Sequence, residues 1–398
     1  MTSEPGSHLG LDPTRLARIG PWMRGWVDSG RLAGMSVAVH RHGRLAYQDS
    51  AGMADCERAL PMDAETVVRI YSMTKPLTTV ALMALYEEGR FQLDDPIANV
   101  LPAFAAMQVW TPDGLVPAAR AITYRDLMTH TSGLTYGFQH ATPVDALYRE
   151  HGIDFQTADE TLGEVVDRLA NLPLVAHPGV AWNYSVATDV LGHLVAVHSG
   201  MAFDAFLQDR VLAPLGMTET GFRVRDDQRP RFAANYARGE NGRAILVDDP
   251  ETSRFLHPRL PSGGGGLVST IGDYGRFTQF LLNRGTLHGA RILGRKTVEL
   301  MMSNHLQGDM AAMGQARFSE SNYEGIGFGL GFSVMLDPAR AQILGTPGEC
   351  AWGGAASTAF WVDPAEDMAV VLFTQLTPSS TYPIRRELRV LTYAAIVD

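Results

Sequence analysis

The chain has 398 residues, 45% of them apolar and 19% charged: enough apolar material for two lobes and too much for a disordered protein. Its 33 basic and 43 acidic side chains leave a net charge of −10, which excludes the basic face that nucleic acid or an anionic membrane surface requires of a partner. Two cysteines without a CxxC spacing, Cys56 and Cys350, exclude a disulfide framework and a structural zinc site, leaving at most a single Cys56–Cys350 bridge.

The N-terminal stretch Met1-Thr2-Ser3-Glu4-Pro5-Gly6-Ser7-His8 shows no basic patch followed by an apolar run, and no 18-residue apolar stretch occurs elsewhere. A cytoplasmic location is the resulting expectation. Residues 11–29 carry apolar side chains at Leu16, Ile19, Trp22, Met23 and Trp26, ahead of Gly30, and predict an amphipathic helix. Residues 35–40 and 44–47 predict a β-hairpin turning at Gly43, followed by a turn-rich stretch over 51–68. From about Asp94 to Pro261 short helical segments broken by Pro and Gly follow, at 123–128, 161–169, 188–197 and 203–211. The stretch Pro261-Ser262-Gly263-Gly264-Gly265-Gly266 is expected to be flexible and to cross between lobes; it lacks the lysine and the strand–helix context of a P-loop. Helices at 271–283 and 296–302, extended runs at 327–335, 356–362 and 368–374, and a closing helix over 382–397 complete the chain. Strands near both termini with helices between them predict an α/β (α+β) architecture: a central antiparallel sheet built from both ends of the chain, flanked by helices, with an inserted, mostly helical lobe. The expected division is 1–90 with 262–398 as the α/β domain and 91–261 as the insert, with the active site between them.

One stretch breaks a local rule. Apolar residues after Leu77 recur at Val80, Ala81, Ala84 and Leu85, predicting a helix with one buried face, and Pro76 places its start near Ser72. Serine there reads first as a helix cap. A capping box, however, calls for Glu or Gln three residues on, and this chain has Lys75. A lysine one turn from a serine hydroxyl, beside the free N–H groups of a helix terminus, is what a nucleophile with a lysine partner requires.

Other hydrolytic chemistries do not fit. No serine stands in a Gly-x-Ser-x-Gly strand-to-helix context, and His193 and His198 are five residues apart, on different faces of a helix, rather than a paired metal site. No Gly-x-Gly-x-x-Gly opens a helix after a strand. Neither a metal nor another cofactor is therefore expected.

Ser72-Met73-Thr74-Lys75, Tyr184-Ser185-Val186 and Trp352-Gly353-Gly354, in that order, resemble the three motifs of the family VIII carboxylesterases, within the serine β-lactamase-like superfamily that includes class C β-lactamases and penicillin-binding proteins. The stretches Asp126-Leu127-Met128-Thr129-His130-Thr131-Ser132-Gly133-Leu134, Asp189-Val190-Leu191-Gly192 and Pro214-Leu215-Gly216-Met217 extend the likeness to nearly the whole chain. The resemblance implies a β-lactamase-like fold and a catalytic set of Ser72 as nucleophile with Lys75 and Tyr184 sharing the proton transfers, either one serving as base. It also implies an oxyanion hole from the backbone N–H groups of Ser72 and Ala355. Trp352, Gly353 and Gly354 would border the substrate, and Tyr136 would line the acyl pocket; His130 reads as a structural histidine.

The chain departs from β-lactamases and DD-peptidases at Val186, where those enzymes usually carry Asn, and at Trp352, where they carry a Lys or His that binds the substrate's carboxylate. Losing that cation removes a contact of about 1.5–3 kcal/mol. A neutral small-molecule ester is thus the expected substrate, with weak β-lactam hydrolysis persisting. An acyltransferase on the same scaffold, an amidase or D-amino-acid peptidase, and a non-catalytic binding module are the rival readings. The loops at 136–155 and 306–323 would set the pocket's volume.

Overall fold

The computed structural model describes residues 9–314 and 322–398; the N-terminal residues 1–8 and part of the 306–323 loop lie outside the described residues. Eight antiparallel strands form the central sheet, in the spatial order Ile326–Phe328, Ser333–Met335, Cys350–Gly353, Ala359–Asp363, Met368–Thr374, Gly34–Arg41, Arg44–Asp55 and Leu60–Pro61. The two ends of the chain meet at the sheet's middle, where Met35 pairs with Thr374 and Arg41 with Met368. This is the β-lactamase-like fold, a large antiparallel sheet with helices on its faces.

Every residue of Gly34–Arg41 and of Met368–Thr374 is buried, so both faces of these strands are covered; residues 368–373 are all apolar, and Gly34–Arg41 is apolar but for Ser36, His40 and Arg41. Alternation decides which layer each side chain joins. Val37, Val39, Val370 and Leu372 pack with Ile19 and Met23 of the Ile19–Asp28 helix and with Ile384 and Leu388 of the Ile384–Tyr393 helix. Ala38, Val371 and Phe373 face the other way, onto Tyr274 and Phe277 of the Ile271–Leu282 helix. The second hairpin strand runs on to Asp55 rather than ending at Tyr47. The apolar pattern fades after Tyr47, but backbone pairing continues through Gly34 opposite Gly52, where neither residue has a Cβ to block the approach.

The Thr74–Glu87 helix is buried on all sides from Thr74 to Leu85, not on the single face its periodicity predicts. It runs through a core cluster shared by the helices of the middle segment (Tyr124–Met128, Pro143–Glu150, Leu162–Leu169 and Ala187–Ser199) and by Phe360 and Phe373 of the sheet. The middle segment also holds strands: Asn235–Arg238 pairs with Ala244–Asp248 and, in parallel, with Leu376–Thr377. The Pro143–Glu150 helix lies outside the segments expected to be helical, although its capping box of Thr142 and Asp145 and its leading proline are sequence signals. Both cysteines are free, Cys56 exposed and Cys350 buried, so no bridge joins them. Among the described residues no single helix is long and apolar enough to cross a membrane.

His40, on the central strand, is 8% exposed, and burial lowers its pKa from 6.5 to about 4. The folded state holds it neutral, so this contribution to stability is complete above pH 6.5 and is lost as the pH falls toward 4. The loss is about 3 kcal/mol at roughly 1.4 kcal/mol per pH unit. Urea midpoints at pH 7 and pH 4.5 should separate less for His40→Gln than for wild type; equal separations would show that His40 carries none of the acid sensitivity.

Candidate active site

Ser72 sits where a two-residue strand, Val68–Arg69, gives way to the Thr74–Glu87 helix through a single 3₁₀ turn, Tyr71–Met73. It is not a helix cap: the capping position falls to Met73, with no side-chain hydrogen bond. Tyr71 has φ of +42°, a region costly for a bulky side chain unless the surroundings hold it there. They do so from both sides. The Gln375 side chain accepts from the Arg69 N–H and donates to the Arg69 carbonyl. Ile70 N–H donates to Leu267 O at 3.1 Å and Tyr274 Oη donates to Met73 O at 2.9 Å. The serine is thereby presented on a rigid corner.

Lys75, one turn on, is 1% exposed and donates to Gly264 O at 2.7 Å, to Tyr136 Oη at 2.9 Å and to Ser72 Oγ at 3.4 Å. Three acceptors match the three protons of an ammonium, and the Tyr184 and Tyr136 ring centroids lie 4.7 and 5.4 Å from Nζ, within cation–π range. Tyr184 Oη donates to Ser72 Oγ at 2.6 Å. Tyr184 lies in an extended segment tied to the 130–135 turn: Asn183 N–H donates to His130 O, Asn183 Nδ2 to Leu134 O, and Val186 N–H to Thr135 O. His130 packs its ring edge against Tyr184 with centroids 4.9 Å apart and hydrogen-bonds Ser185 Oγ. Burial, reinforced by the Lys75 charge, holds its pKa well below the ordinary value, so it is a neutral spacer. Tyr136 is pushed the other way: burial first, then the neighbouring Tyr184 and Asp189, hold its phenol well above its ordinary value.

The glycine-rich stretch is the clearest departure from expectation. Residues 262–265 are buried, and the segment is a fixed strap rather than a flexible crossing. A Cβ at Gly264 would fall 2.4 Å from Asp189 Oδ2 and one at Gly263 2.6 Å from Thr188 O. The glycines serve close approach, which composition alone does not distinguish from flexibility. Asp189, fully buried in the Ala187–Ser199 helix, accepts from Ser262 Oγ at 2.6 Å and from Gly264 N–H at 2.9 Å. Burial raises its carboxyl pKa, while the nearby Lys75 charge pulls it down. Reading the residues singly gives Asp189 and Gly264 no part in the site. The signal available was Asp189 at the buried start of a helix, opposite no basic residue nearby in sequence.

Trp352 lies on the Cys350–Gly353 strand, its ring 5.5 Å from that of Tyr184 and 5.2 Å from that of Phe328. Gly354 passes so close to the serine corner that a Cβ would lie 2.3 Å from Ile70 O. The structure thus gathers Ser72, Tyr136, Tyr184, Trp352, Gly353, Gly354 and Ala355 around one cavity of about 720 Å³, with Phe138, Gln156 and Tyr323 along its walls. Lys75 is reached beneath it through Ser72.

The Beta-lactamase family model matches residues 21–394. The chain is 32% identical over 383 residues to Esterase EstB of Burkholderia gladioli, covering 92% of this chain and 91% of that protein. It is 30% identical over 354 residues to Monacolin J acid methylbutanoyltransferase of Aspergillus terreus, covering 84% and 82% of the two. Among solved structures it is similar to EstCE1, described as a hydrolase with promiscuous acyltransferase activity, with a TM-score of 0.83, 29% identity, and coverage of 96% of this chain and 99% of that one. A family match across nearly the full length, on this fold, means that the chain belongs to the Beta-lactamase family, in the company of its esterases and acyltransferases.

Proposed function

We propose that the protein is a serine carboxylesterase that hydrolyses small, neutral carboxylic esters through an acyl-enzyme on Ser72. The observation that carries this reading is the convergence of Tyr184 Oη and Lys75 Nζ on one corner hydroxyl, at 2.6 and 3.4 Å. The esterase among the relatives supports it.

In this mechanism Tyr184 reacts in its deprotonated form beside the Lys75 cation, so that the 2.6 Å bond runs from the Ser72 hydroxyl to the Tyr184 oxygen; Ser72 Oγ attacks the ester carbonyl as its proton passes to that oxygen. Lys75 holds its three acceptors and stabilises the negative charge that develops beside it. The proton then goes to the departing alkoxide, leaving the acyl group on Ser72; water, activated by the same groups, releases the acid. Tyr136 is the weaker candidate for the base because its phenol is held protonated by burial; its oxygen serves to fix Lys75. The backbone N–H groups of Ser72 and Ala355 receive the oxyanion, a donor of this kind contributing about 3 kcal/mol in comparable sites. The aromatic wall of Tyr136, Phe138, Tyr184, Tyr323 and Trp352 suits an uncharged acyl or alkyl group. Trp352 standing where a cation would bind a carboxylate sets esters ahead of β-lactams, whose hydrolysis is a weak side reaction.

Acyl transfer to an alcohol is the second reading, favoured by the transferase among the relatives and by the promiscuous acyltransferase activity of EstCE1. It uses the same acyl-enzyme and differs only in what accepts the acyl group. Adding a second alcohol to the assay and measuring transesterified product against free acid separates the two.

With p-nitrophenyl butyrate at neutral pH and chelator present, Ser72→Ala should lose at least about a thousandfold in kcat/KM; a folded variant that keeps most of the activity would make Ser72 a bystander. Tyr184→Phe, which keeps the ring contacts and removes the hydroxyl, should lose about as much in kcat with KM little changed. Tyr136→Phe should lose only about tenfold, the cost of one hydrogen bond to an ionised group. If Tyr136→Phe proves the more damaging of the two, the proton-transfer role belongs to Tyr136.

A further inference from the structure

We infer that Arg385, which no motif points to, is a positioning residue that locks the Gly354–Ala355 peptide so that the Ala355 N–H faces the reacting carbonyl. This inference rests on the ester-hydrolase reading and extends it to how the second oxyanion donor is held.

Arg385 stands in the first turn of the Ile384–Tyr393 helix and lines the same cavity as Ser72. Its Nη2 donates to Gly354 O at 2.9 Å and to Thr358 O at 2.8 Å. Gly354 O also accepts from Ser357 N–H at 3.1 Å, and Gly354 N–H donates to Thr358 O at 2.9 Å. Residues 354–357 therefore form a tight turn with Ala355 at its leading corner, and Ser357 closes it with φ of +65°. The guanidinium reaches these carbonyls only because residue 353 is glycine: a Cβ there would lie 2.7 Å from Arg385 Cζ and Nη2.

In a planar trans peptide the C=O and the N–H point in opposite directions. Fixing Gly354 O toward the helix therefore fixes the Ala355 N–H toward the opposite side, away from the guanidinium, while the Gly354 Cα itself packs against Ile70 O, two residues before Ser72. A turn of small residues held by one internal hydrogen bond could rotate this peptide and remove the donor. A second, charge-assisted bond to the same oxygen opposes that rotation. The cation also polarises the peptide it binds, making the N–H on the far side a stronger donor to a developing oxyanion. Gly353 and Gly354 then have separate purposes: the first admits the guanidinium, the second admits the serine corner.

The test compares an activated ester with its thionoester analogue, in which sulfur replaces the carbonyl oxygen and draws less from hydrogen-bond donors. Wild type, Arg385→Ala and Arg385→Lys are assayed after thermal unfolding shows which variants are folded. Arg385→Ala should lose about ten- to a hundredfold in kcat on the oxoester, with KM little changed and a clearly smaller loss on the thionoester. Arg385→Lys, and millimolar ethylguanidinium added to Arg385→Ala, should restore part of that rate. An unchanged kcat, an equal loss on both esters, or a rise in KM confined to carboxylate-bearing esters would overturn the inference, the last by making Arg385 a substrate contact. Ser72→Ala in the same assay keeps the two claims apart: Ser72-dependent hydrolysis by wild type upholds the esterase reading whatever Arg385 does, and its absence overturns both.

Discussion

A lysine ammonium withdrawn from water is the constraint around which this site is arranged. Placing such a cation in a protein interior costs several kcal/mol even after relaxation, and Lys75 is 1% exposed. The cost is offset by Gly264 O, Tyr136 Oη, Ser72 Oγ and two aromatic faces, with hydrogen bonds to a charged group contributing about 1.5–3 kcal/mol each. Each acceptor comes from a different part of the chain, so the cation can be buried only when the strap, the 130–136 turn and the serine corner are all in place. The buried Asp189 carboxylate completes this arrangement from behind. It binds the N–H of Gly264, whose carbonyl binds Lys75, so two opposite charges are linked through one residue's backbone rather than by direct contact.

The same economy of space governs the backbone. Tyr71 holds a left-handed conformation that the clamps from Gln375, Leu267 and Tyr274 make tolerable, and strain held by its surroundings is a recurrent feature of reactive corners. Around that corner, Gly264 and Gly354 bring backbone to within distances no side chain would permit. These glycines add rigidity, since each close approach creates contacts that fix the chain in one place.

Membership of the Beta-lactamase family leaves the substrate class to be read from the cavity. An aromatic wall with Trp352 on the motif strand binds through area and shape, which rewards uncharged groups of suitable size and discriminates weakly among them. Ester hydrolysis and acyl transfer then differ by competition between water and alcohol for one intermediate, so relatives named for either activity are compatible with one catalytic core.

Much of this was legible in the residues themselves. The runs at 35–40 and 368–374 announced strands because they are short and rich in apolar and β-branched residues, and Ser72-x-x-Lys75 announced a site because a cation violates the electrostatics of a helix start. Spacing of one helical turn is a local property, and local properties survive in a linear text. What tertiary structure alone decided is everything that depends on distant segments meeting. The extension of the second strand to Asp55, the bond from Lys75 to Tyr136, the Asp189 strap and the grip of Arg385 on Gly354 each bring separate segments together, as far as 75 positions apart for Asp189 and Gly264. The glycine run at 263–266 shows why the sequence could not supply them. A missing Cβ permits both a mobile linker and a tightly packed strap, and only the neighbours that fold against it select between the two.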